Sequence, residues 1–347
     1  MIGRRAFVSG AAPIMVAPLL DRIWWEERWL ALEAEGDVDL PAYTGATLRG
    51  ALGSVMRRHL CDESGQCGER CRAPGRCRFF SLFEQARAEG GAGPNIPKPL
   101  ILEPPLTDDL RRIALGGAIT HPFTLSPGRS LPVLSNAWRI GVRPGGTMRL
   151  GLRGLGVGGA ALDGVVEGVR RDGLEVKGGR LRLTGIGGGK HRFSAMPPVG
   201  THRVRISLTT PTILRSDDGL AWDPEVFAAK LLEQVVVRAV SVVNVFFANG
   251  GERVPFVKAE WPGVIMTGSR LFRYILPRRS YRQGKWMNFD GVVGWMEWEG
   301  EVASLLPWLR AAEVLHVGQK ATFGLGRLEI ASPLPEGSAL LEEIPGA

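Results

Sequence analysis

Between residues 316 and 327 the chain combines three glycines and two cations in a pattern that can bind a phosphate group. These residues are Gly318, Lys320, Gly324, Gly326 and Arg327. Glycine lets backbone N–H groups approach a ligand closely, and successive N–H groups on such a loop form a concavity that attracts anions. A tight turn between two strands would use similar residues. Because a second basic segment lies upstream, we interpret this segment, the glycine-rich loop, as a phosphate-binding loop for a polynucleotide.

Two histidines are candidates for acid–base chemistry. His316 lies two residues before Gly318, so it could reach a phosphate held by the loop, or it could order the loop through a hydrogen bond. His59 follows Leu52 and Val55 at helical spacing, in the last turn of a predicted helix. There it is either a core histidine or, at the sheet rim, an imidazole whose charged form the helix C-terminus stabilises.

The second basic segment spans residues 270–285 and contains no acidic residue, the nearest being Glu260 and Asp290. Its cations are Arg270, Arg273, Arg278, Arg279, Arg282 and Lys285. Aromatic residues, including Tyr281 and the adjacent Trp286, are interleaved with them. Arginine binds phosphates through two parallel hydrogen bonds, while aromatic faces stack on unpaired bases. The pattern favours a nucleic-acid surface over an ordinary solvated loop.

The four cysteines of the chain all fall within seventeen residues. They are Cys61, Cys67, Cys71 and Cys77. Four thiolates so close together favour a tetrahedral structural zinc site, which would fold a polar insertion. The spacing is wider than in common zinc knuckles, so two disulfides or an iron–sulfur cluster are the alternatives. Disulfides would require an oxidising compartment.

Composition limits the class of protein. The 347 residues are 44% hydrophobic and 22% charged, with a net charge of +8, as in a globular protein that binds polyanions. No apolar stretch is long enough to span a membrane. Arg4 and Arg5 precede a short apolar run, as in a twin-arginine export signal, but Pro13 and Pro18 interrupt that run. We therefore expect a cytoplasmic protein.

The elements that would position these residues repeat in two halves. In the first half we predict a strand at 24–35 and helices at 46–60 and 160–171. We also predict strands at 113–125 and 133–142, among others. A cysteine-bearing insertion covers residues 61–99.

A segment rich in glycine and proline, 187–200, marks a domain boundary. The second half then begins with a strand at 203–209, followed by a helix that Asp223 caps and Pro224 opens. A further strand is predicted at 321–330. Both halves thus have the βαββαβ pattern, and we predict an α+β chain of two tandem ferredoxin-like, RRM-like domains, residues 1–195 and 202–347.

One rival pattern is Gly154-x-Gly156-x-x-Gly159, which matches a dinucleotide-binding fingerprint by spacing. With 47 glycines in the chain, chance matches are frequent. A Rossmann enzyme would also show several long parallel βα repeats, and the sequence has none. We expect close packing at a strand–helix turn instead.

Five segments in order resemble the CRISPR-Cas endoribonucleases of the RAMP superfamily, which process precursor crRNA. They are residues 40–53 (LPAYTGATLRGALG), 78–84 (RFFSLFE) after the cysteines, 211–215 (PTILR), 279–294 and 316–326 (HVGQKATFGLG). The four-cysteine insertion is similar to one found in a branch of that family. The resemblance covers most of the chain.

The resemblance implies a metal-independent endoribonuclease that cleaves CRISPR repeat RNA. The 2′-hydroxyl would attack the adjacent phosphate, leaving a 2′,3′-cyclic phosphate and a 5′-hydroxyl. It also implies catalytic roles for His59 and Tyr43, with Arg57, Arg58 or the more distant Lys320 supplying charge. His316 is the second acid–base candidate. Structural zinc would be its metal ion, and repeat RNA or crRNA and other Cas proteins would be its partners. The alternative is a RAMP subunit that binds crRNA in an effector complex without cutting it.

Overall fold

We describe the chain from a computed structural model. It describes residues 19–61, 77–84, 97–120, 123–128, 130–136, 139–194, 201–216, 219–248, 253–256, 261, 263–280, 284–331 and 341–343. The helices are α1 (Gly45–Leu60), α2 (Asp108–Ala114), α3 (Leu162–Asp172), α4 (Pro224–Val242) and α5 (Leu306–Leu315).

An antiparallel sheet with two helices on one face forms the first unit. Its strands are β1 (Trp24–Ala34), β3 (Leu100–Glu103), β7 (Thr147–Leu155), β8 (Leu174–Val176), β9 (Gly179–Gly187) and β10 (Lys190–Phe193). β1 and β7 are central, with β3 beyond β7, and β9 and β10 on the other side of β1. With α1 and α3 in the intervening segments, this is the order of a ferredoxin-like βαββαβ unit.

The core of the first unit forms where apolar residues at every second position of β1 meet apolar residues at helical spacing in α1. Leu30 and Leu32 point to the face that α1 covers, and Leu48, Leu52 and Val55 project from α1 onto them, all fully buried. α1 contains no acidic residue, and its last turn carries three basic ones, which is favourable at a helix C-terminus.

The second unit repeats this arrangement. Its strands are β11 (Arg203–Thr212), β14 (Val264–Tyr274), β17 (Gly291–Gly300) and β18 (Leu328–Ala331), in the order β18-β11-β17-β14. Asp223 caps α4 by accepting from the N–H groups of Glu225 and Val226, as the sequence predicts. α4 and α5 pack on this sheet through a continuous apolar core.

Strands are exchanged between the two units. β4 (Phe123–Ser126) and β5 (Val133–Asn136) precede the predicted boundary but extend the second sheet, where β5 pairs with β14 in parallel. Conversely, β19 (Leu341–Glu343), near the end of the chain, pairs with β10 of the first sheet. Three pairs of short strands complete the described sheets: β2 (Val38–Pro41) with β6 (Arg139–Val142), β12 (Arg215–Ser216) with β13 (Gly219–Leu220), and β15 (Pro277–Ser280) with β16 (Lys285–Asn288).

Three predicted elements are wrong. Residues 113–125 do not form one strand, because Thr107 caps the short helix α2 and the strand begins only at Phe123. Residues 133–142 form two strands, β5 and β6, that pair with different partners. At 321–330 a 3₁₀ turn (Ala321–Phe323) precedes the strand, since Gly324 takes a left-handed conformation.

Among the described residues, every helix is too short or too polar to cross a membrane.

Candidate nucleic-acid interface

The glycine-rich loop has an unusual backbone. Gly318, Lys320, Gly324 and Gly326 all have positive φ, at 80°, 67°, 82° and 76°. Lys320 and His316, at φ 54°, are the two residues other than glycine with positive φ in the described chain. Such conformations are disfavoured for side chains with a Cβ and persist only where the surroundings enforce them. Strain in the described backbone is therefore concentrated at this loop.

One side of the loop is packed against the first unit. A Cβ at Gly324 would lie 2.2 Å from Cδ of Pro104, and Phe323 and Leu325 are buried. The opposite side contains the tip, where Gly318 and Gln319 are half-buried and Lys320 is exposed. At the tip a Cβ on Gly318 would lie 2.5 Å from the carbonyl oxygen of Ile213, to which the Gln319 N–H donates, so the exposed side chain of Lys320 is the part of the tip that a ligand can reach.

Tyr43 ties the loop to the start of α1. Its hydroxyl donates a hydrogen bond of 2.8 Å to the carbonyl of Phe323. The side chain is buried, and burial raises the pKa of Tyr43 well above its ordinary value, so the phenol remains a donor. Gly45 is required next to it, since a Cβ there would lie 2.1 Å from the Phe323 carbonyl oxygen.

His316 holds the loop from inside. Its side chain is fully buried, and Nδ1 lies 3.2 Å from the carbonyl of Leu325. Because a carbonyl only accepts, Nδ1 carries the proton. Burial lowers the pKa of His316 even though Glu103 opposes that change, so the ring is neutral at pH 7.

A buried ionic cluster beneath His316 joins the two units. Arg153 of β7 lies 2.5 Å from Glu103 of β3, and it also donates to the carbonyls of Glu313 and Val314 at the end of α5. Burial disfavours the Glu103 carboxylate, but the charges of Arg153 and Arg327 outweigh this and lower its pKa to about 2. The residues just before the glycine-rich loop are therefore fixed to the first sheet.

The predicted basic segment lies beside the loop. The rings of Phe289 and Phe323 meet edge to face with centroids 5.0 Å apart, and Leu276 and Met287 pack on the same cluster. Lys320 Nζ is 5.9 Å from the Phe289 ring. The base of the β15–β16 hairpin is thus in contact with the glycine-rich loop.

The arginines of this segment divide into two groups. Arg270 donates to the carbonyls of Gly116 and Gly117, and Arg273 forms an ion pair with the buried Asp290 at 2.8 Å. These two stabilise the strand ends. The backbone of the β15–β16 hairpin carries the other described cations, Arg278, Arg279 and Lys285. Arg282 lies outside the described residues.

Arg327 is the last residue of the glycine-rich loop, and its side chain is partly buried beside Glu103. Its side chain is 28% exposed, and Nη1 lies 3.7 Å from Oε2 of Glu103. Its backbone N–H donates to the hydroxyl of Thr210. Arg327 therefore belongs to the junction of the two units as well as to the loop.

His59 lies elsewhere on the first unit. Its Nε2 is 3.0 Å from Oδ2 of Asp172 at the end of α3, and its side chain is 23% exposed. Arg58 donates to the same oxygen at 2.7 Å. The hydrogen bonds from Arg58 and then His59 lower the pKa of Asp172, so this carboxylate is ionised at neutral pH.

The predicted catalytic residues therefore do not form one cluster. Tyr43 precedes α1 and His59 is fourteen residues beyond its first residue, Gly45. At 1.5 Å per residue, the two ends of this segment are roughly 21 Å apart. Tyr43, His316 and Lys320 surround the loop, whereas His59 is at the far end of the helix, so one phosphate cannot contact both places.

Two of the four predicted metal ligands, Cys61 and Cys77, belong to the described residues. Burial, and then the neighbouring Cys61, raise the pKa of the Cys77 thiol, against hydrogen bonds from the backbone. The two thiols are therefore close to each other, across sixteen residues of sequence. Cys67 and Cys71 lie outside the described residues.

The dinucleotide-like glycines have a packing role. A Cβ at Gly154 would lie 2.5 Å from the backbone of Gly158, and one at Gly159 would meet the side chain of Glu26. These contacts are those of a tight strand–helix turn, as expected from the sequence.

Comparison with known proteins identifies a domain in the second half of the chain. A family model described as CRISPR-associated endoribonuclease Cas6 matches residues 206–328, which run from within β11 to the first residue of β18 and include the whole glycine-rich loop. This segment of the chain is a Cas6 domain. A model described as an N-terminal domain, AF_1859_N, matches residues 25–141. Among curated proteins none matches the sequence.

Solved Cas6 structures align with most of the chain. A chain of the partial Cas6-RT-Cas1–Cas2 complex aligns with a TM-score of 0.53 and 12% identity, over 95% of this chain and 50% of that one. A Cas6 (TTHB231) product complex aligns at 0.47 and 14%, over 88% and 99%. Thermus thermophilus Cas6 aligns at 0.44 and 14%, over 89% and 99%. The first of these shares the Cas6 fold with this chain.

The roles of several residues of this site could not be predicted from the sequence. Asp172, Glu103 and Arg153 are single charged residues without a motif, and their partners are distant in the chain. The helix α5 had a readable signal, since Pro307 opens an apolar run, and it carries the loop at its C-terminal end.

Proposed function

We propose that this protein cleaves CRISPR repeat RNA in precursor crRNA without a metal ion. The contact between the glycine-rich loop and the basic β15–β16 hairpin, within the segment that matches the family, carries the proposal. Together they place the exposed Lys320 beside a hairpin that carries further cations, which suits a phosphate chain.

In the proposed reaction the 2′-hydroxyl loses its proton and attacks the adjacent phosphorus, while the bond to the 5′-oxygen breaks and that oxygen gains a proton. The products are a 2′,3′-cyclic phosphate and a 5′-hydroxyl. The protein must supply a base, an acid and charge for the transition state.

We assign the acid–base chemistry to His59. It is partly exposed, and Asp172 fixes its orientation, as a carboxylate does for a catalytic imidazole. Arg58, on the same carboxylate, is about half exposed and can meet the phosphate. Buried Tyr43 and His316 are assigned to holding the loop, and Lys320 to binding phosphate.

RNA that contacts both the loop and His59 would run along α1. Roughly 21 Å corresponds to about six steps of a duplex strand at 3.4 Å each. The surface between contains Arg49, Gly50 and Ser54, and no acidic residue occurs in α1. The repeat RNA therefore has room to be held at one end and cut at the other.

We further propose that Cys61 and Cys77, with Cys67 and Cys71, hold a structural zinc ion. The closeness of the first two thiols supports this, and four thiolates match the ligands that zinc prefers. The ion would stabilise the fold of the insertion. The binding of other Cas proteins, which the composition of one related complex suggests, is also a proposal.

The test is single-turnover cleavage of repeat RNA in EDTA by wild type, with binding measured in parallel. Cutting at one position supports the proposal. Tight binding without a cut would favour the non-catalytic RAMP subunit.

A further inference from the structure

Trp29 and Arg149 form a stacked pair on the first sheet, on the face opposite α1 and α3. The ring of Trp29 lies over Gly151, where a Cβ would be only 2.4 Å from Cζ3. The guanidinium carbon of Arg149 is 4.2 Å from the ring centroid. Arg149 is exposed and Trp29 is half-buried. The indole is thus held flat on the sheet with a cation stacked on it.

The surface around this pair is flat and open. Trp29 pairs with Gly151 on β7 and with Gly187 on β9, and a Cβ at Gly187 would meet no atom within 4 Å. Ala31, the next outward residue of β1, is exposed. A planar group can therefore approach the pair without a steric barrier from these neighbours.

Polar contacts connect the pair with the glycine-rich loop. The indole N–H of Trp29 donates to Glu27, and Glu27 pairs with Arg153 at 2.9 Å. Arg153 in turn pairs with Glu103, which lies beneath His316. Glu103 and Trp29 both pair with Gly151, so they are two strand spacings, or roughly 10 Å, apart.

Arg149 differs from the neighbouring arginines in its ion pairing. Arg153 and Arg182 on the same face are paired with Glu27 and Glu33. Among the described residues no carboxylate forms an ion pair with Arg149. Its guanidinium contacts the Trp29 ring. Its charge is therefore available to an anionic ligand.

We propose that Trp29 and Arg149 bind an unpaired nucleotide of the RNA, whose base stacks on this pair. Aromatic side chains and guanidinium planes on the open face of a ferredoxin-like sheet are suited to stack splayed bases. β1 and β7, which carry the pair, are the two central strands. That this RNA is a CRISPR repeat rests on the proposed function. Base stacking on Trp29 and Arg149 itself requires only a single strand that continues from the loop.

The test compares Arg149→Gln and Trp29→Leu with wild type in binding a single-stranded RNA oligonucleotide. The matched control is Arg170→Gln, which removes the same charge from an exposed arginine on α3, the opposite side of the sheet. We expect Arg149→Gln and Trp29→Leu to weaken binding on the order of 10-fold, and the control to remain within about twofold. A fully paired RNA duplex should bind wild type and Arg149→Gln alike.

Photo-crosslinking of a 5-iodouridine oligonucleotide gives a second readout that needs no variant. The proposal expects a crosslink in the peptide containing Trp29. Wild-type affinity of Arg149→Gln, with no crosslink at Trp29, overturns it. Cleavage of repeat RNA is scored separately: an uncut repeat rejects the proposed nuclease, whereas the oligonucleotide result alone decides the stacking pair.

Discussion

Tyr43 donates a hydrogen bond to the carbonyl of Phe323, joining residues 280 positions apart in the chain. This contact fixes the start of α1 against the glycine-rich loop. The His316–Leu325 contact lies on the other side, so the loop is held at two buried points. A loop fixed in this way would lose little entropy on binding the phosphate that we propose.

The first prediction concerns the assigned acid–base residue. His59→Ala should lower the single-turnover cleavage rate on the order of 100-fold or more while RNA affinity is kept. Asp172→Asn should lower it less, since the imidazole remains but loses its fixed orientation. Arg170→Ala, on the same helix as Asp172, is the control. An unchanged rate in His59→Ala would remove this residue from the mechanism.

Lys320 tests the phosphate contact at the loop tip. Lys320→Ala should weaken RNA binding and reduce the slope of log affinity against log salt by about 0.7, the value for one contact with a single strand. Lys177→Ala removes another exposed lysine, from the first unit, and should leave the slope unchanged. A wild-type slope in Lys320→Ala would contradict the phosphate-binding role of the tip.

Two glycines give a matched pair for the packed side of the loop. Gly324→Ala places a Cβ against Pro104 at φ 82°, so we expect a loss of about 2 kcal/mol of stability and weaker RNA binding. Gly50→Ala changes an exposed helical glycine with no atom within 4 Å, and should stabilise the protein by about 1 kcal/mol. Denaturant titration measures both. Equal stabilities would show that the loop is not packed as described.

These glycines also indicate how much the sequence could predict. The types and order of most elements followed from periodicity and capping, as for β1, α1 and the Asp223 cap. The sequence predicts that the glycine-rich loop and the basic segment form a site, and in the structure the base of the β15–β16 hairpin contacts the loop, while the binding role itself stays a prediction. The sequence could not reveal that Gly324 packs on Pro104, that Arg273 is committed to Asp290, or that His59 faces Asp172. Such pairings depend on tertiary placement, because the partners are far apart and belong to no local pattern.

His316 should make stability depend on pH. Its ordinary pKa is 6.5, and burial lowers it in the folded state, so the unfolded chain binds the proton more readily. The contribution is complete above pH 6.5 and is lost as pH falls through the folded value. His316→Asn, which can still donate to Leu325, should show a smaller loss of thermal stability between pH 7.5 and 5 than wild type. The Glu103 carboxylate, with a pKa of about 2, stays ionised throughout that range. Parallel pH profiles for variant and wild type would contradict the buried neutral imidazole.

The zinc proposal is tested by metal content. Purified wild type should contain about one zinc per chain by elemental analysis, and Cys61→Ser should lose most of it together with thermal stability. Iron in place of zinc would support a cluster. Four freely titratable thiols in a metal-free, stable wild type would reject a metal site.

The central claim is that the chain cuts repeat RNA through the 2′-hydroxyl, and the ends of the products test it most directly. Purified protein is incubated in EDTA with the CRISPR repeat RNA and, separately, with the same RNA carrying a 2′-deoxy substitution at the cut position. The account predicts one cut with a 2′,3′-cyclic phosphate and a 5′-hydroxyl, and no cut in the substituted RNA. Cleavage of the substituted RNA, or a 5′-phosphate on the product, would contradict it.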